Sequence, residues 1–209
     1  MEILTSIRKN SLGLGIFAVV TAGLIAITHQ VTKLNIANNI VKAQLAAFTE
    51  ILPAHYFDND LYNSKIELAA NPLLGADNGS KKTSIAYVGR LQGKFSAIIF
   101  ETIAPSGYSG KISLLVAVNK AGVVTGSRII SHKETPGLGD KIDIKKSNWM
   151  RSFDDKSFTT LAFDKWLVKK DGGEFDQFTG ATITPRAIVK AVRDTLTYFK
   201  DNKTALINQ

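Results

Sequence analysis

No cysteine occurs in the 209 residues. That excludes disulfides, a thiolate nucleophile and cysteine-ligated iron–sulfur clusters within this chain. Any redox chemistry here needs an organic cofactor. Histidine is scarce too, with three in all. His55 has no second histidine or carboxylate at ligand spacing, so no metal site is expected. There is no Gly-x-Ser-x-Gly elbow. Ser131 and His132 are adjacent, and neighbours on a strand point to opposite faces, which argues against a serine hydrolase oriented by Asp176. The net charge is +8, yet the lysines are spread along the chain and no basic run is interleaved with aromatics. Solvated faces explain them, and no nucleic acid partner is expected. Internal repeats and low-complexity segments are absent.

Charge is missing altogether from Asn10 to Thr28. These 19 residues would make a helix of about 28 Å, close to the hydrocarbon thickness of a bilayer. A signal peptide is the competing reading, with Arg8 and Lys9 as its basic front. The apolar run exceeds the usual signal core, Leu24 and Ile25 spoil the cleavage registers, and Ala26-Ile27-Thr28 is a poor site. The expectation is an uncleaved anchor over residues 1–33 and a second domain over 34–209. Arg8 and Lys9 are nearly balanced by Lys33 and Lys42, so orientation rests on the short N-terminal tail, which favours the cytoplasmic side. Beyond the anchor, Ile36, Ile40, Gln44, Phe48 and Leu52 share one helical face, with Val41, Leu45 and Ile51 beside it. An amphipathic helix ending before Pro53 is expected.

Asn71-Pro72 and Gly75–Ser80 read as loop. Ile85–Arg90, Phe95–Thr102, Ile112–Val118 and Val123–Ile130 read as strands, the last two joined as a hairpin. Pro105-Ser106-Gly107 punctuates the second strand. A helix is expected within Asp140–Phe153, burying Ile142, Trp149, Met150 and Phe153. A further strand is expected over Asp164–Val168, closed by Asp171-Gly172-Gly173, and the tail from Asp201 reads as frayed. The fold class is α+β: a mainly antiparallel sheet packed with helices, after one N-terminal transmembrane helix.

The chain is organised around Phe175–Pro185 and the helix that follows. Thr184 reads as the N-cap, and Pro185 suits the first turn. Ile188, Val189, Val192, Leu196 and Phe199 then recur at three- and four-residue spacing. Thr182 thus lies just ahead of a helix N-terminus, where free N–H groups favour an anion. Gly180 and Ala181 supply little bulk, so a ligand can approach this backbone closely. A second segment, His132–Ile142, holds Glu134, Thr135, Gly137, Leu138 and Gly139 around Pro136. By itself it reads as a turn leaving a strand.

Together, Asp176, Thr179-Gly180-Ala181-Thr182 and the Glu134-Thr135-Pro136-Gly137-Leu138-Gly139 run resemble the covalent-FMN-binding domain family. With the N-terminal anchor, the likeness extends to the G subunit of the Rnf (Rsx) ion-translocating electron-transport complex. The flavin domain would cover about 108–199. The resemblance implies one FMN per chain, attached through a phosphoester to Thr182 by a flavin transferase. Thr179, Gly180, Ala181 and Asp176 would surround the attachment point. Glu134, Thr135, Gly137 and Leu138 would face the ring, and Tyr108 would stand beside it. It also implies electron relay in ferredoxin/NAD chemistry coupled to ion translocation, with other Rnf subunits as partners. The domain would lie on the periplasmic side of the inner membrane. The C subunit of a sodium-translocating NADH:quinone oxidoreductase shares the threonine pattern and stays as an alternative. So does a membrane-anchored assembly protein without redox function.

Overall fold

The computed structural model describes residues 2–76 and 83–208. The chain forms two compact units, Met1–Gln44 and Leu45–Gln209. The first helix, α1, is Glu2–Ile51. Within it, Ser6–Lys33 is long and apolar enough to cross a membrane, and Leu12, Phe17, Val19 and Ile25 are all exposed. The amphipathic stretch expected before Pro53 is the end of this same helix. The side chains of Ile40 and Val41 lie outside the described residues, as do residues 77–80 of the expected Gly75–Ser80 loop.

The second unit is built on a five-stranded antiparallel sheet whose strands lie side by side in chain order. They are β1 (Lys65–Ala69), β2 (Thr83–Leu91), β3 (Lys94–Gly107), β4 (Gly110–Asn119) and β5 (Val124–Ser131). Four were expected; β1 is too short for alternation to stand out. Gln92 and Gly93, both at positive φ, turn β2 into β3, the backbone that a tight hairpin requires. Pro105 does not end β3. The strand runs on to Gly107 through a register shift after Ala104, where a missing N–H costs no ladder bond.

Both faces of the sheet are buried. Phe100, Leu114, Val116 and Val118 face α2 (Ile183–Ile207). Ile99, Leu115 and Ala117 face Phe48, Ile51 and Leu52 at the end of α1. Three contacts fasten that end to β5. Arg128 pairs with Glu50 at 2.9 Å, the Thr125 hydroxyl donates to the Ile51 carbonyl at 2.8 Å, and a Cβ on Gly126 would lie 2.7 Å from the Ile51 Cα. On α2, Ile188, Val189, Val192, Leu196 and Phe199 are buried, as their spacing anticipates.

Three expectations are corrected. Asp140–Phe153 is not one α-helix but two 3-10 segments, Gly139–Ile142 and Asn148–Phe153. The Asp143 carboxylate accepts from Lys145 N and the Ser147 hydroxyl from Trp149 N, so side chains compete with the helical ladder. Ile142, Met150 and Phe153 are buried as expected; Trp149 is half-buried, its indole N–H donating to the Asp176 carbonyl at 2.8 Å. Asp164–Val168 is not a strand. It is a 3-10 turn and a single bridge, Val168 to Phe175, with Trp166 fully buried among Phe153, Phe158 and Phe175. The tail is helical to Ile207, because Leu206 is buried against the core.

Candidate functional site

Three segments converge at one edge of the second unit: the loop after β5, the tip of the β3–β4 hairpin, and the turn into α2. In the first, the Thr135 carbonyl accepts from Leu138 N at 3.2 Å and Gly139 N at 3.1 Å. Gly137 sits at φ 78°, and its N–H donates to the Asp140 carboxylate at 2.8 Å. This tight turn pushes Leu138 outward, to 43% exposure. Gly139 lies so close behind that a Cβ there would sit 3.0 Å from the Thr184 hydroxyl.

In the segment before α2, Phe178 and Ala181 form a bridge, and Gly180 adopts φ 80°. A Cβ on Gly180 would touch the Leu138 side chain at 3.4 Å. The two loops therefore face each other across a narrow gap. Thr182 is the N-cap of α2, and its side chain makes no capping hydrogen bond. This corrects the expected cap: Thr184 lies inside the first turn, fully buried, and its hydroxyl donates to the Glu134 carboxylate. Pro185 still falls in the first turn, where it has no N–H to leave unpaired.

Glu134 holds the three segments together. It is 4% exposed. One carboxylate oxygen accepts from Ser109 N at 2.9 Å; the other accepts from Tyr108 N at 3.3 Å and from Thr184. Its own N–H donates to His132 Nδ1 at 3.1 Å.

The resulting cleft has a volume of about 280 Å³. Tyr108, Glu134, Thr135, Leu138, Gly180, Ala181 and Thr182 line it, together with Gly139, Ile183 and Thr184. Thr179, Gly137 and Asp176 do not line it. Asp176 is exposed and pairs with Lys169 at 2.6 Å, a hydrogen bond that holds the lysine above its ordinary pKa. Asp171 and Arg186 form a two-pronged pair nearby, with both contacts at 2.6 Å. That pairing holds the Asp171 carboxyl below its usual range. Ile183 was missed in the sequence because it precedes the periodic apolar face. Thr184 was noted there, but for a role that belongs to Thr182.

The donor set suits a flavin mononucleotide. Tyr108, Leu138 and Ile183 are exposed apolar surfaces around the cleft, at 67%, 43% and 47%. The first-turn N–H groups of α2, from Ile183 and Thr184, have the polarity an anion next to Thr182 would need. Gly180, without a Cβ, leaves room above Leu138.

Residues 107–197 match the FMN-binding domain, and residues 1–51 match the RnfG N-terminal region. Curated relatives align over nearly the whole chain. One from Vibrio atlanticus (strain LGP32) is 44% identical over 206 residues, spanning 99% of this chain and 96% of the relative. One from Pseudomonas aeruginosa (strain UCBPP-PA14) is 47% identical over 202 residues, spanning 97% and 92%. Another, from Vibrio cholerae serotype O1 (strain M66-2), is 45% identical over 207 residues, spanning 99% and 96%. Each is named as the G subunit of an ion-translocating oxidoreductase complex.

Proposed function

Because this chain belongs to the family of G subunits of ion-translocating oxidoreductase complexes, we propose that it relays electrons through FMN bound by a phosphoester to Thr182. The anchor is Ser6–Lys33, and the second unit works on the periplasmic side of the inner membrane. Its partners are the other subunits of the complex, with ferredoxin and NAD at the ends of the redox chain and ion translocation coupled to it. A flavin transferase is needed for maturation, since an unactivated hydroxyl is a poor nucleophile.

One observation carries the choice of acceptor among the three threonines. Thr184 is sealed from solvent and spends its hydroxyl on Glu134. Thr179 is exposed but stands outside the cleft. Thr182 lines the cleft with its hydroxyl free of the capping role. The N-terminus of α2 offers its dipole and N–H groups to the phosphate.

When bound, the isoalloxazine supplies the electron chemistry. The chain's residues hold and screen it. Leu138 and Tyr108 give apolar contact to a flat ring, and Thr135 offers hydroxyl and backbone groups to its polar edge. The cleft is at the small end for a ligand pocket. A covalent tether relieves it of tight binding and leaves the ring near solvent for electron exchange.

The test is mass and fluorescence after co-expression with a flavin transferase. Wild type carries one FMN less one water and fluoresces in a denaturing gel; Thr182→Ala shows neither. Covalent flavin persisting in Thr182→Ala would assign the acceptor elsewhere. A wild type without flavin despite an active transferase would overturn the flavoprotein reading.

A further inference from the structure

We infer that the Glu134 carboxylate, besides tying the site together, sets the reduction potential of the flavin by placing an uncompensated negative charge in its cleft. The inference rests on the covalent-FMN reading above. Both Glu134 oxygens act as acceptors, from two backbone N–H groups and one hydroxyl. That is the hydrogen-bonding pattern of a charged carboxylate, which has no proton of its own to donate.

Among the described residues no ion pair includes Glu134, and neither lysine nor arginine lines the cleft. The His132 Nδ1 accepts the Glu134 N–H and so offers the carboxylate no hydrogen bond of its own. Asp140, also buried, adds a second carboxylate beneath the same turn. At 4% exposure, water screens Glu134 poorly, so its field reaches the cleft.

An oxidised isoalloxazine that takes up two electrons and one proton becomes an anion; a second proton neutralises it. A fixed negative charge disfavours the anion. Glu134 therefore makes the reduced ring hold its second proton to higher pH, and lowers the potential at pH values where the reduced ring is the anion. The N-terminus of α2 acts in the opposite sense and reaches Glu134 through Thr184 in its first turn, but it carries about half an elementary charge against the full charge of the carboxylate.

The test compares flavinylated wild type, Glu134→Gln and Glu134→Asp by dithionite titration with mediators, following flavin absorbance. Glutamine keeps the shape: its oxygen accepts from Ser109 N and its amide donates to the Thr184 hydroxyl, at the loss of the 3.3 Å bond from Tyr108 N. At a pH high enough for the reduced ring to be anionic in all three proteins, the expected result is a potential raised in Glu134→Gln and returned towards wild type in Glu134→Asp. A folded, flavinylated Glu134→Gln with an unchanged or lowered potential would overturn the inference. A second measurement needs no variant. In wild type, the pH at which the potential's dependence on pH halves should lie above that of free FMN; a value at or below it overturns the inference. An intact mass without flavin in wild type defeats the proposed function and this inference together. An unchanged potential in flavinylated Glu134→Gln defeats this inference alone.

Discussion

The Thr184 hydroxyl donates to the Glu134 carboxylate across 50 residues of sequence. It joins the first turn of α2 to the loop after β5 and leaves Thr182, two residues earlier, at the open side. Thr184→Val removes the donor and leaves a buried carboxylate oxygen short of a partner. The expected cost is about 1.5–3 kcal/mol, the range for hydrogen bonds to charged groups, read by urea unfolding. FMN attachment at Thr182 should persist. Thr182→Ala should do the reverse, abolishing attachment with little loss of stability. A Thr184→Val protein as stable as wild type would contradict the buried hydrogen bond.

Leu138 is an exposed apolar side chain facing Gly180 across the cleft. Leu138→Asp adds a carboxylate to a site that already holds one. The flavin potential should fall, while in-gel fluorescence of attached flavin stays at the wild-type level. An unchanged potential and visible spectrum in a flavinylated variant would put this loop away from the ring.

Burial pushes the Asp154 carboxyl from 3.8 up to about 6, against the pull of Arg128 and Arg151. One of its oxygens is buried without a hydrogen-bond partner among the described residues. The native state binds this proton more tightly than the unfolded chain does. Its stabilising contribution is therefore complete below pH 3.8 and is lost as pH rises through about 6. Asp154→Asn should flatten this part of the stability profile. Parallel pH profiles for variant and wild type would refute the assignment.

Phe48, Ile51 and Leu52 are at most 1% exposed and cover one face of the sheet. A chain starting at Leu45 should fold as a soluble domain. One starting at Ala54 loses all three side chains, each worth about 2–5 kcal/mol, and should not give a cooperative thermal transition. Gly126→Val should mimic that loss in part, since its side chain would meet Ile51 backbone. A stable domain starting at Ala54 would mean that the end of α1 is only a tether.

The proposed topology is tested in sealed spheroplasts. External protease should digest the second unit and spare a fragment containing Ser6–Lys33. Protection of the domain until the membrane is broken would reverse the orientation.

Much of this was legible where local pattern and tertiary packing agree. The buried face of α2 follows from apolar spacing, and β2 to β5 follow from β-branched runs broken by glycine turns. Failures cluster where side chains outvote local propensity. Asp140–Phe153 reads as helical until Asp143 and Ser147 turn their oxygens on the backbone. Asp164–Val168 reads as a strand, but its shape follows from Trp166 filling an aromatic pocket. At the site, the Thr-Gly-Ala-Thr run and the Glu134 loop could be found as motifs. That Glu134 joins three segments could not, because the groups donating to its carboxylate are 25, 26 and 50 residues away.

The sheet has a consequence for timing. Each strand lies beside the one made just before it, so the β2–β5 meander closes only short turns and its pairing costs little chain entropy. Docking of α2 is different, since it bridges from near the end of the chain back to β3 and Glu134. Thr182, the proposed acceptor, thus acquires its surroundings only when α2 docks. A transferase that reads the finished turn would load flavin only onto domains already assembled, and cofactor content would then serve as a record of correct folding.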